Sequence, residues 1–186
     1  MWAAIPRDAK EKDMPNHVFN EVRLHGVSLE TVVPLITDKK GQISFAVLVP
    51  LPINFWPGSA GSQHEKAFPG THLDAARKTW GTKWNCYGYP KAVQDGDDTL
   101  ITFQTAWEPP RGWIVALFNT LECRITAKWM SEGQSDAFTE TYFMDDTRFG
   151  GPGWETETHI EGSDEQRRLH KCLWGVEVFE DEDEEA

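Results

Sequence analysis

A chain of 186 residues, 39% of them hydrophobic, suffices for one domain with a buried core and is short for two. Its net charge of −12 repels phosphate, which argues against a general nucleic-acid binder, and no apolar run approaches the roughly 20 residues of a membrane-spanning helix. The three cysteines, Cys86, Cys123 and Cys172, lie too far apart for a CxxC metal motif and form no disulfide framework, so a reducing, cytoplasmic setting is expected.

Residues 1–13 are mixed and charged without a period and read as a flexible N-terminal extension. No signal-peptide pattern is expected there. From Asn16 the pattern sharpens. Val18, Val22 and Leu24 share one face of a strand that Gly26 closes. Ser28 is placed to cap a short helix through Leu35, with Glu30 in its first turn and Leu29, Val32 and Val33 facing inward. After the turn at Asp38–Gly41, the apolar run Ile43–Val49 has the length of a strand and is expected to be one. Pro50, Pro52, Pro57 and the Gly58–Ser62 stretch make an irregular connection, rich in chain breakers. Thr71 opens a helix carrying Leu73, Ala76 and Trp80, and Gly81–Tyr89 turns into a strand.

The stretch Thr99–Met130 carries the clearest pattern. Ile101, Phe103, Thr105 and Trp107 alternate onto one strand face. Pro109 and Pro110 end the strand and preset a helix start. Ile114, Leu117, Phe118 and Leu121 then follow the spacing of one helix face. Cys123, Ile125, Ala127 and Trp129 alternate with Glu122, Arg124, Thr126 and Lys128 in the next strand. Ala137–Met144 is its hairpin partner. Trp154–Ile160 sets Trp154, Thr156 and Thr158 against Glu155, Glu157 and His159, as a half-exposed strand does. Ser163 and Gln166 match a capping box for a helix with Leu169, Cys172 and Leu173, ending at Gly175. Residues 180–186 are an acidic tail too charged to pack and expected to be disordered. Two β-α-β units around a mostly antiparallel sheet predict an α+β, ferredoxin-like sandwich over residues 14–179, elaborated by an extra hairpin and a C-terminal helix.

Three stretches together carry a family resemblance: MPNHVFN at Met14–Asn20, WGTKWNC at Trp80–Cys86, and FQTAWEPP at Phe103–Pro110 leading into its helix. They resemble the Api92-like family, also called the YubB ferredoxin-like domain family, of phages and plasmids, from about Met14 to about Gly175. The resemblance implies a ferredoxin-like fold and a mobile-element origin. It implies no catalytic residue. Members often open at the MPN motif, which leaves residues 1–13 and the acidic tail outside the shared pattern.

The residues themselves supply no reaction centre. His17, His25, His64, His72, His159 and His170 show no metal-ligand spacing, and His170 and Cys172 diverge on a helix. No GxSxG elbow and no phosphate-binding glycine loop occurs. Asp95, Asp97 and Asp98 read as a hairpin turn rather than a calcium loop. No enzyme activity, cofactor or metal is expected. The acids are the stronger lead. Half of the net charge sits in the run Glu180, Asp181, Glu182, Asp183, Glu184 and Glu185, and Glu155 and Glu157 share one strand face. These eight carboxylates are the candidate surface for a basic host protein. The expected function is that of a phage or plasmid accessory protein in the host cytoplasm that acts by protein–protein binding. Its most specific form is inhibition of a host nucleic-acid-dependent defence. The alternative is a single-stranded nucleic-acid-binding module built on Trp80, Lys83 and Trp84, which offer rings to stack on and a cation.

Overall fold

The computed structural model describes residues 16–51, 72–145 and 151–174. The extension at 1–13, most of the proline- and glycine-rich connection and the acidic tail lie outside them. In chain order the described elements are β1 (His17–Leu24), α1 (Leu29–Ile36), α2 (Phe45–Leu48), α3 (His72–Trp80), β2 (Tyr87–Asp95), β3 (Asp98–Ala106), α4 (Arg111–Leu121), β4 (Ile125–Ser131), β5 (Ala137–Met144), β6 (Pro152–His159) and α5 (Asp164–Trp174).

The strands form one sheet in the order β2-β3-β1-β4-β5-β6, and every neighbouring pair is antiparallel. Because β3 and β4 both run against β1, they are parallel to each other, and α4 makes the crossover between them. β1 and β2 flank β3 in the same way. These two interleaved β-α-β units are the ferredoxin-like arrangement. The hairpin β5–β6 extends the sheet past β4.

The second strand of the first unit is not the one expected. Ile43 makes a single bridge to Thr37, and the chain then enters the short helix α2 instead of a strand. A distant residue decides this. The Asn85 side-chain oxygen accepts from the Phe45 N–H at 2.9 Å, and its amide donates to Ser44 Oγ at 2.9 Å. This caps a helix from 40 positions away, and a short apolar run cannot reveal that by its own pattern. The strand role passes to β2.

The cap also seats Phe45 in the core. Its ring meets Phe103 at 5.4 Å, Trp80 at 5.7 Å and Trp113 at 4.7 Å between centroids. Around this aromatic centre pack Val22, Leu24, Ile36, Ile101, Leu117 and Ile125, all buried. Trp113, absent from the expected helix face, is fully buried, whereas Leu121 is only partly so. In α1, Val32 and Ile36 face inward and Val33 is exposed. Gly112 lets α4 approach α3, since a Cβ there would collide with the Thr79 carbonyl oxygen. Trp107 leaves the core face: its φ of 75° turns the chain out of β3, and its N–H donates to the Asn16 carbonyl at 2.8 Å.

α5 lies on the opposite face of the sheet, where Leu169 and Leu173 pack on Met130, Ala137 and Phe19; Cys172 is exposed. Half of the expected capping box forms: the Gln166 N–H donates to Ser163 Oγ at 3.4 Å, while the Gln166 side-chain oxygen accepts from the Gly162 N–H at 3.2 Å and the Ser163 N–H goes to the Ile160 carbonyl. An ion-pair network fixes the helix in place. Arg168 donates to both oxygens of Glu21, at 2.8 and 3.0 Å, and also to Glu165, which Lys128 meets at 2.7 Å. The hydrogen bond from Arg168, helped by Lys128 and opposed by burial, pulls the Glu165 carboxyl down to about 2. A depressed carboxylate stabilises the fold above its unfolded value, near 4.3, and loses that contribution as pH falls through the folded value. The protection factors of the α5 amides, that is, exchange relative to the intrinsic rate at each pH, should therefore fall between about pH 4.3 and pH 2. In Glu165→Gln, protection should already be lower at neutral pH and nearly flat across that window. A wild-type helix whose protection is unchanged across it would contradict this account.

Candidate functional site

The two edges of the sheet differ. On β2 the register slips between Tyr87 and Lys91, where Gly88 and Tyr89 both take positive φ and Pro90 lacks an N–H. A bulge and a proline turn an edge away from further pairing. β6 has no such interruption. It pairs with β5 in continuous register from Ala137↔His159 to Met144↔Pro152, and no described strand lies on its outer side. Residues 154–158 are all exposed. The register sets Glu155 beside Thr141 and Glu157 beside Thr139 on one face, and Trp154, Thr156 and Thr158 beside Tyr142, Glu140 and Phe138 on the other. Trp154 is 67% exposed. The structure thus brings Glu155 and Glu157 together as expected. The six acids from Glu180 to Glu185 lie outside the described residues.

Next to Trp154 is a constellation that the sequence did not single out. Glu140 falls on the core-facing side of β5, and its side chain is 2% exposed. One carboxylate oxygen accepts from Arg111 through Nε at 2.8 Å and Nη2 at 2.6 Å, and from Trp129 Nε1 at 3.3 Å. The other accepts from the Tyr142 hydroxyl at 2.9 Å. Both oxygens are satisfied, which a buried carboxylate requires. Arg111 also lies over the Trp129 ring at 5.2 Å, and that ring stacks on Phe138 at 4.4 Å. Burial, with Glu140 beside it, pushes the Tyr142 hydroxyl well above its ordinary value, so it stays a neutral donor. A cavity of about 180 Å³ opens here, lined by Arg111, Val115, Glu140, Tyr142 and Trp154. The polar groups consume one another, leaving mainly apolar contact to offer. The signal was present in the parity of Phe138, Glu140 and Tyr142: an acid on a buried face demands a cation. The identity of Arg111, 29 positions away, was not.

The alternative nucleic-acid site comes together only in part. Trp80 is 2% exposed and donates through Nε1 to the Val49 carbonyl at 2.8 Å. It is a core side chain and offers no face to a base. Lys83 and Trp84 do meet, with Nζ 5.4 Å from the ring centroid. The sheet face that could serve as an aromatic platform is crossed by α5 over β1, β4 and β5.

A broader hollow of about 720 Å³ lies between α1 and the start of β2, lined by Val33, Thr37, Ile43, Cys86, Pro90 and Ala92 among others. Its cysteine is a poor nucleophile. Burial pushes the Cys86 thiol up to about 12, and Sγ donates to the Ile43 carbonyl at 3.2 Å.

Strand order β2-β3-β1-β4 with two interleaved crossovers defines a ferredoxin-like α+β domain, here extended by β5–β6 and covered on its second face by α5. Residues 82–173 match the model of the family described as the ferredoxin-like domain in Api92-like protein. Over that stretch the chain belongs to this family. The match runs from just before β2 into the last turn of α5, and the central strand β1 precedes it. No curated protein and no solved structure matches the chain. Among the described residues no helix is long and apolar enough to cross a membrane.

Proposed function

We propose that this protein acts by binding another protein, a basic one, through the β6 edge and the acids around it. The observation that carries the reading is the joint exposure of Glu155, Glu157 and Trp154 on an uninterrupted edge strand. An exposed tryptophan supplies contact area, and the carboxylates steer an oppositely charged surface. The sequence carries six further carboxylates at 180–185. Binding rather than catalysis is favoured because the buried carboxylate, Glu140, is fully engaged by Arg111, Trp129 and Tyr142. With the mobile-element resemblance, the most specific form is an accessory protein of a phage or plasmid, acting in the host cytoplasm. Its carboxylates would occupy a basic groove that a host defence protein uses for nucleic acid.

The test immobilises the full chain and exposes it to nuclease-treated host lysate. A basic protein should be retained, released as salt rises, and lost with Glu155→Lys/Glu157→Lys. Truncation after Phe179 asks whether the tail contributes. Equal retention by the charge-reversed variant would refute the β6 surface. The second reading rests on Lys83 over Trp84. Fluorescence anisotropy with labelled single-stranded RNA should give no binding at physiological salt, and binding that Trp84→Ala abolishes would put the nucleic-acid module first.

A further inference from the structure

We infer that the partner engages β6 as an added strand: an extended segment in which basic residues alternate with aliphatic or aromatic ones. This rests on the partner-binding reading above and specifies its geometry. Three observations point the same way. First, β6 is the terminal strand of the sheet, and its outer side pairs with no described strand. An edge strand directs alternate N–H and C=O groups outward, and an incoming extended chain satisfies them. Second, the two faces of β6 differ in chemistry. Glu155 and Glu157 lie on one, Trp154, Thr156 and Thr158 on the other. Side chains of a paired strand alternate between the same two faces, so basic residues would fall beside the glutamates and apolar ones beside Trp154. Third, Trp154 walls the cavity of about 180 Å³ with Val115 and Tyr142. An apolar side chain next to Trp154 has both a ring to cover and a hollow to fill.

Charge argues against a second copy as the occupant. Antiparallel pairing of β6 with itself about Thr156 would set the glutamates of the two copies against each other, and like charges directly opposite are unfavourable. The same glutamates that discourage self-pairing complement a basic strand. Edge protection alone would account for Glu155 and Glu157, but it does not account for leaving Trp154 67% exposed.

The experiment uses the full chain and a short fluorescent peptide of strictly alternating lysine and valine. One control has the same composition in block order, all lysines before all valines. A second is the alternating peptide N-methylated on the amides of one edge. The alternating peptide should bind about tenfold more tightly than either control. Trp154→Ala and Glu155→Lys/Glu157→Lys should each weaken it by about the same factor. Both variants change exposed side chains, and an unchanged melting temperature verifies the fold. Hydrogen exchange with the peptide bound should slow at alternate amides of β6. Equal binding of the block isomer, lost on charge reversal, would overturn strand addition while leaving the acidic surface standing. Binding of no peptide, with the lysate partner still lost on charge reversal, would do the same. Sedimentation showing a dimer whose β6 amides are protected without peptide would also overturn it, with a second copy as occupant.

Discussion

Phe103→Ala should destabilise the protein by about 3 to 5 kcal/mol, as large-to-small changes in a packed core do. Phe103 is fully enclosed, and its ring touches Phe45 at 5.4 Å and Trp113 at 5.7 Å. It thereby links β3, α2 and α4. Removing the ring strips contacts from three elements at once, and neighbouring aromatic rings are too rigid to fill the gap. Urea unfolding should show a lower midpoint at unchanged slope. Thr102→Ala, one residue away on the other face of β3, should cost within about 1 kcal/mol. Equal effects at the two positions would mean that β3 does not present Phe103 to the core.

The second large effect concerns the buried carboxylate. Arg111→Leu should cost about 3 kcal/mol, because Glu140 would remain enclosed without its cation. Solvent reaches part of the Arg111 side chain, which holds the figure at the lower end of the range for buried pairs. Adding Glu140→Leu should return much of the loss, since two apolar side chains suit the neighbouring rings. The recovery should be incomplete, because Trp129 Nε1 and the Tyr142 hydroxyl lose their acceptor. A double-mutant cycle from denaturant melts checks this. Strictly additive costs would show that the pair is not coupled.

The ferredoxin-like class and most of the elements could be read before the structure, because their signals are local. The alternation in β1, β3, β4 and β6 and the helical spacing in α4 need only a window of a few residues. What failed was set by residues far apart. Asn85 caps a helix at Phe45–Leu48, inside the Ile43–Val49 run. Trp107 leaves β3 at a positive φ, with its N–H bonded to the distant Asn16 carbonyl. Trp80 fits both the apolar face of its helix and a stacking surface beside Lys83, and the distant Phe45 and Val49, which its ring and Nε1 meet, make it a core residue. At the candidate site the same division holds. That Glu155 and Glu157 share a face follows from strand parity alone. That their strand is an edge depends on the order of the six described strands.

The position of β1 has a consequence for how the chain comes off the ribosome. Leu24 pairs with Thr99 on one side and Ile125 on the other. The first of the described strands is therefore in the middle of the sheet, and both its neighbours are synthesised long after it. Until then Val18, Val22 and Leu24 have no sheet to join, and the closing loops are long. Pairings so distant in sequence fold slowly and leave apolar strands open to misassociation. The nascent protein should thus depend on chaperone cover until β4 has emerged, and its yield should respond to translation rate more than to the stability of the finished fold.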